Sequence, residues 1–201
     1  MNDFYTDNYL AYHRRTFSVD PSLFLSPFVS RLKQGCHVLD LGCGSGRDLL
    51  WLKERGFSVT GFERSKGLAD LARENAGCEV IEGDFETHDF SQITVDAILM
   101  SGSFVHIPHA RLPDVLRNIT RALHPVPRPK NNSPMLAYVS LKQGPGVVSD
   151  EEGRTFYLWQ EPMLRKLLGE VGFEVIDLST SASAVNRNDI WLGYVLKLTG
   201  R

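Results

Sequence analysis

The sequence has no apolar run approaching the roughly 20 residues that cross a bilayer, so no transmembrane helix is expected among its 201 residues. It has almost no net charge. Twenty-two Lys and Arg stand against 24 Asp and Glu, giving −2, which offers no global electrostatic case for a nucleic-acid partner. Cysteine is scarce: Cys36, Cys43 and Cys78 are an odd number with no metal-ligand spacing, so neither a disulfide framework nor a metal site is expected. A reduced, cytoplasmic setting follows, in which the sequon at Asn118-Ile-Thr120 is silent. The opening residues, Met1 to Asp7, lack a basic segment followed by an apolar one, and so read as no signal peptide. No linker, repeat or shift of composition divides the chain. What is present, 42% hydrophobic and 23% charged residues, is ordinary for one soluble domain with a sizeable core.

The organising stretch is His37-Val-Leu-Asp-Leu-Gly-Cys-Gly-Ser-Gly-Arg-Asp48. Val38, Leu39 and Leu41 predict a buried strand with Asp40 near its end. Gly42, Gly44 and Gly46 predict a tight turn, and Leu49, Leu50 and Leu52 a helix. Such a turn lets a ligand lie on main chain, because glycine has no Cβ. A dinucleotide fingerprint, Gly-x-Gly-x-x-Gly, would need its third glycine at position 47, and that residue is Arg47. A second strand, Ser58 to Glu63, ends in a carboxylate 23 residues after Asp40. Ionised glutamate is acceptor-only, which suits the two donors of a vicinal diol.

The spacing Asp-x-Gly-x-Gly-x-Gly resembles motif I of the class I S-adenosylmethionine-dependent methyltransferases, and the resemblance extends along nearly the whole chain. It implies an α/β fold: a doubly wound, seven-stranded, mostly parallel sheet of order 3-2-1-4-5-7-6, its last strand antiparallel, with helices on both faces. It implies one domain over 1–201, divided into a helical leader, 1–34, and a Rossmann-like core, 35–201. It implies S-adenosylmethionine as cofactor, S-adenosylhomocysteine as product, and a small-molecule acceptor; the charge balance and the lack of a long apolar run add the expectation of no nucleic acid and no membrane. The cofactor positions carried over are Asp40, Gly42, Cys43, Gly44, Gly46, Glu63, Arg64, Asp84, Phe85 and Ser101. Among these, Glu63 would hold the ribose, Asp84 the adenine amine and Phe85 the ring face. Asp84 also reads as an ordinary turn former. A binding protein without turnover, and an RNA or protein methyltransferase, are the competing readings.

The remaining chain supplies the acceptor candidates. The leader is aromatic, and Asp20-Pro21 predicts the start of a helix carrying Leu25, Phe28, Val29 and Leu32. By family analogy Tyr9, Tyr12 and Arg14 face the site; simple packing is the alternative. Thr94 to Met100 predicts the fourth strand, followed by Ser101-Gly-Ser-Phe-Val-His106. Ligands lie outside the carboxyl ends of such strands, so this loop should floor the site. DNA amino-methyltransferases carry Asn/Asp-Pro-Pro-Tyr/Phe here, and its absence argues against base methylation. Phe104 becomes an acceptor-facing candidate and His106 a general base, with a pocket wall or a helix-capping role as the other readings of the histidine. Methyl transfer needs no base when positioning alone supplies ~7–11 kcal/mol. Leu112, Val115, Leu116, Ile119 and Leu123 mark one face of a structural helix over 110–123. Four prolines between His124 and Pro134 predict an irregular loop. The connection 142–159 reads as a lid whose Arg154 and Tyr157 face the acceptor, or as a ribbon with Arg154 paired to the acidic run Asp150 to Glu152.

Overall fold

In the computed structural model, residues 4–123 and 135–199 are described. The proline-rich stretch expected as a loop, 124–134, lies outside the described residues. Seven strands form the main sheet: β1 (His37–Leu41), β2 (Ser58–Glu63), β3 (Glu79–Glu82), β4 (Ala97–Ser101), β5 (Leu136–Lys142), β8 (Phe173–Ala182) and β9 (Ile190–Leu198). Two more, β6 (Val147–Ser149) and β7 (Thr155–Tyr157), make a separate antiparallel ribbon. The sheet order is β3-β2-β1-β4-β5-β9-β8. With the ribbon strands left out of the numbering, this is the expected 3-2-1-4-5-7-6. Only the pairings of β9, with β5 and β8, are antiparallel.

The helices are α1 (Phe4–Asp7), α2 (Tyr9–Thr16), α3 (Ser22–Val29), α4 (Arg47–Glu54), α5 (Lys66–Ala76), α6 (Leu112–Ile119) and α7 (Glu161–Val171). Alternation along the strands feeds two cores. Val38, Ala97, Leu99, Leu136 and Tyr138 pack with Leu25 and Phe28 of α3, Leu49 and Leu52 of α4, and Ala69 and Ala72 of α5. Leu39, Ile98, Met100, Ala137 and Val139 pack with Leu112 and Leu116 of α6 and Leu164 and Leu168 of α7. Helices therefore cover both faces, and the strand ends are left to the loops.

Three local expectations shift. The fourth strand begins at Ala97 rather than Thr94: Val95 N–H donates to the Ala122 carbonyl at 3.2 Å, away from the sheet, and the His37 N–H is taken by the Asp96 side chain at 2.8 Å. The helix expected over 110–123 is α6 plus a 3-10 turn, Thr120–Leu123. Where the sequence reads as a strand from Phe173 to Leu178 followed by a polar loop from Ser179 to Asp189, β8 continues to Ala182, held by its long ladder with β9. No described helix is long and apolar enough to cross a membrane.

Candidate active site

The glycine turn is built by backbone that only glycine holds easily. Gly42, Gly44 and Gly46 have φ of 71°, 55° and 88°, in the left-handed region. Gly42 N–H donates to the Phe62 carbonyl at 2.8 Å, tying the turn to β2. Beside it, Glu63 is buried and gathers the surrounding main chain. Oε2 accepts from Gly44 N–H, and Oε1 from the N–H groups of Arg64 and Ser65, each at 2.9 Å. Burial raises the Glu63 pKa, and those three N–H groups oppose the shift.

These groups border a cavity of about 150 Å³ at the carboxyl ends of β1, β2 and β4. It is lined by Tyr5, Tyr12, Gly42, Gly44, Glu63, Arg64, Leu68, Asp84, Phe85, Glu86, Ser101, Gly102, Ser103, His106 and Ile107. Asp84 serves in a turn as well as in the lining: Oδ1 accepts from Glu86 N–H at 2.9 Å, and Oδ2 lies 3.4 Å from Arg64 Nη1. Of the expected cofactor positions, Gly42, Gly44, Glu63, Arg64, Asp84, Phe85 and Ser101 thus meet around one space. Asp40, Cys43 and Gly46 do not line it. Asp40 is buried below the turn with Oδ2 lacking a hydrogen-bond partner among the described residues. Burial first, then the nearby Asp48 charge, pushes its pKa well up. Cys43 turns toward β2, where a Cβ on Gly61 would lie 2.8 Å from its Sγ. Gly46 is where α4 meets α5: a Cβ there would come within 2.9 Å of the Ala72 backbone. Both residues build the turn rather than line the cavity.

The acceptor candidates divide more sharply. Tyr12 lines the cavity, while Tyr9 packs flat on α5, where a Cβ on Gly67 would sit 2.7 Å from its ring. Arg14, two residues past Tyr12 and so on the far side of the helix, is exposed. Phe104 is fully buried behind the lining and packs edge-on against Phe85 at 4.9 Å. The ribbon reading of 142–159 holds. Tyr157 packs against His109, and Phe156 and Trp159 are buried, with none of the three in the lining. Arg154 is tied to Asp150 at 2.6 Å and Glu152 at 2.7 Å and lies over the Phe4 ring at 4.4 Å.

His106 does line the cavity. Nδ1 lies 2.5 Å from the Thr155 carbonyl and Nε2 lies 2.7 Å from the Tyr5 hydroxyl. Its pKa is lowered, chiefly by burial. Tyr5, Ser103, Glu86 and Ile107 were not singled out by the sequence. The aromatic density of the leader pointed at Tyr5 without separating it from its neighbours. Ser103 was visible only as part of the loop after β4; its buried hydroxyl has no hydrogen-bond partner among the described residues. No described group of three or more His, Cys, Asp or Glu could hold a metal ion.

Comparison with known proteins now adds to this geometry. Residues 38–126 match a family model described as "Methyltransferase domain". The chain is 30% identical over 167 residues to the O-methyltransferase cnsE of Penicillium expansum, covering 73% of this chain and 55% of that protein. It is 27% identical over 105 residues to the probable S-adenosyl-L-methionine-dependent methyltransferase TehB of Haemophilus influenzae, covering 50% and 34% respectively. The chain thus spans about half, or less, of the length of these relatives. Its fold is similar to that of Burkholderia thailandensis 1,6-didemethyltoxoflavin-N1-methyltransferase, solved with 1,6-didemethyltoxoflavin and S-adenosylhomocysteine. The TM-score is 0.74 at 20% identity, over 98% of this chain and 84% of that one.

Proposed function

We propose that this chain, whose residues 38–126 match a methyltransferase domain, is a class I S-adenosylmethionine-dependent methyltransferase that transfers a methyl group from S-adenosylmethionine to a nitrogen, oxygen or sulfur atom of a small molecule. The observation that carries the reading is one cavity bordered by glycine backbone, a buried carboxylate and a second acid. Glu63 Oε2 is engaged by a single N–H and keeps acceptor capacity for a ribose hydroxyl. Gly42 and Gly44 offer main chain without a side chain in the way. The unpartnered Ser103 hydroxyl is a polar group that a ligand would satisfy. The residues present therefore fit the donor: Glu63 would hold its ribose, Asp84 and Phe85 its adenine, and the glycine turn its methionine half. Asp40 lies beneath that turn with its pKa raised by burial, and a cationic amino group held on the turn would favour its ionised form. When bound, the sulfonium supplies an activated methyl carbon.

Sheet order separates the roles. β1 lies between β2 and β4, so Glu63 and Asp84 stand on one side of the glycine turn, and the loop carrying Ser103 and His106 on the other. The second side is the acceptor end, bordered by Tyr5, Tyr12, Ser103, His106 and Ile107. We assign the acceptor to small molecules because Tyr5 of α1 and Tyr12 of α2 border that end and the net charge is −2. The leader and core act together as one catalytic unit. The free thiols of Cys36, Cys43 and Cys78 fit a reducing, cytoplasmic setting.

Calorimetry with S-adenosylmethionine and, separately, NAD tests the ligand class. Saturable binding of the sulfonium is expected; binding of NAD alone sinks the reading. Glu63→Ala should weaken sulfonium binding by about 2–4 kcal/mol, through loss of buried charged hydrogen bonds. Unchanged affinity in a folded Glu63→Ala variant would remove the ribose assignment.

A further inference from the structure

The acceptor end carries a hydrogen-bonded chain that the donor site does not use. Tyr5 Oη lies 2.7 Å from His106 Nε2, and His106 Nδ1 lies 2.5 Å from the Thr155 carbonyl. A carbonyl oxygen only accepts, so Nδ1 carries the imidazole hydrogen and Nε2 accepts the Tyr5 O–H. The Arg154 guanidinium hydrogen-bonds to the same hydroxyl and is itself anchored by Asp150 and Glu152. Both the Tyr5 and His106 side chains border the cavity. The charged groups facing this pair are Arg154 and Asp150 from the ribbon and Lys142 from β5 around His106, and Arg154 and Glu63 around Tyr5. Their sum, with burial, keeps the imidazole neutral at neutral pH.

We infer that Tyr5 is a catalytic residue: its hydroxyl oxygen takes the proton of an aromatic O–H acceptor while its own proton passes to His106 Nε2. The inference rests on the methyl-transfer reading and names the acceptor class within it. The acceptor O–H bond breaks and its proton joins Tyr5 Oη as the former Tyr5 proton moves to Nε2. The acceptor oxygen's electron pair forms the bond to the methyl carbon. The carbon–sulfur bond breaks with its pair left on sulfur. The positive charge lost from sulfur reappears on the His106 imidazolium, which gives its proton to solvent. A neutral imidazole takes the proton of a phenol-like hydroxyl in concert with formation of the oxygen–carbon bond, whereas an aliphatic hydroxyl is too weak an acid even for that. A free amine attacks through its lone pair with no proton to remove beforehand. Tyr12, edge-on to Tyr5 at 5.2 Å, and Ile107 make the surroundings apolar and aromatic.

The test uses 4-nitrophenol as acceptor probe with the protein saturated by S-adenosylhomocysteine, because its phenolate is read by visible absorbance. Bound probe should ionise at lower pH than in buffer. Tyr5→Phe and His106→Gln should each abolish that shift. Ser65→Ala removes the hydroxyl that holds the Tyr5 main chain at 3.1 Å, leaves the Tyr5 hydroxyl in place, and should keep the shift. Nitrogen-15 spectra of the ligand-free protein should show the Nδ1–H tautomer at His106, and Tyr5→Phe should raise the pH at which that ring protonates. The inference is overturned if 4-nitrophenol fails to bind, if it titrates as in buffer, or if Tyr5→Phe leaves the shift intact. It is equally overturned if Ser65→Ala loses the shift, since the tyrosine would then matter only for packing. Calorimetry separates the two levels: no binding of S-adenosylmethionine ends the methyltransferase reading, whereas binding without the probe shift ends only the role of Tyr5.

Discussion

The Glu63 end of the cavity and the Tyr5–His106 end are held by contacts of different range. Glu63 binds the N–H groups of its next two residues and of Gly44, 19 positions away. Asp84 folds its carboxylate onto Glu86, two residues on. At the other end, Tyr5 meets His106 across 101 positions, and His106 meets Thr155 across 49. The first end is assembled by one βαβ unit and its neighbouring strand. The second exists only when the leader, the loop after β4 and the ribbon have all docked. Long-range closure of this kind carries an entropy cost that local turns do not, so the Tyr5–His106 end should open first.

The comparison breaks most severely at Gly46. Its φ of 88° and the 2.9 Å approach of a Cβ to the Ala72 backbone mean that Gly46→Ala should cost about 2–4 kcal/mol of stability. Urea unfolding measures this; a loss below about 1 kcal/mol would show that the turn is not the rigid half. Arg154→Ala acts at the other half. It removes the anchor between the ribbon and Phe4, and should cost about 1 kcal/mol. Limited proteolysis should then cut the leader faster, while affinity for S-adenosylmethionine changes by less than about tenfold. Equal loss of donor affinity and leader protection would merge the two ends into one cooperative unit. Smallest of all, Arg14→Ala should change stability by under about 0.5 kcal/mol and leave S-adenosylmethionine affinity unchanged by calorimetry, because that side chain is exposed.

The legible part of the site follows from these ranges. The glycine spacing, the strand-end carboxylate at Glu63 and the turn at Asp84 are local patterns, and all border the cavity. Within the same motif, however, Cys43 and Gly46 could not be told from Gly42 and Gly44, since alternate positions on a turn look alike until α5 packs against one side. In the leader the 3.6-residue period does separate faces, but sequence does not say which face meets the core. Tyr9 and Tyr12, three residues apart, share one face of α2, and they part only because Gly67 of α5 lies under the first and Gly44 of the glycine turn under the second. Phe104 was legible as a loop aromatic, yet its burial behind Phe85 depends on where the strand end points.

By itself the sequence determined the alternation that feeds two cores, the sheet order through its family pattern, and the turn that only glycine accommodates. The alternation and the turn rest on hydrophobic periods and backbone sterics, which are properties of neighbours in the chain; the sheet order rests on the resemblance alone. Tertiary structure alone decided that Arg154 is held by Asp150 and Glu152, that Tyr5 rather than Tyr9 reaches the cavity, and that His106 presents Nε2 to a tyrosine hydroxyl. Those outcomes depend on which segments dock together, and a hydrogen bond at 2.7 Å between residues a hundred positions apart leaves no local signature.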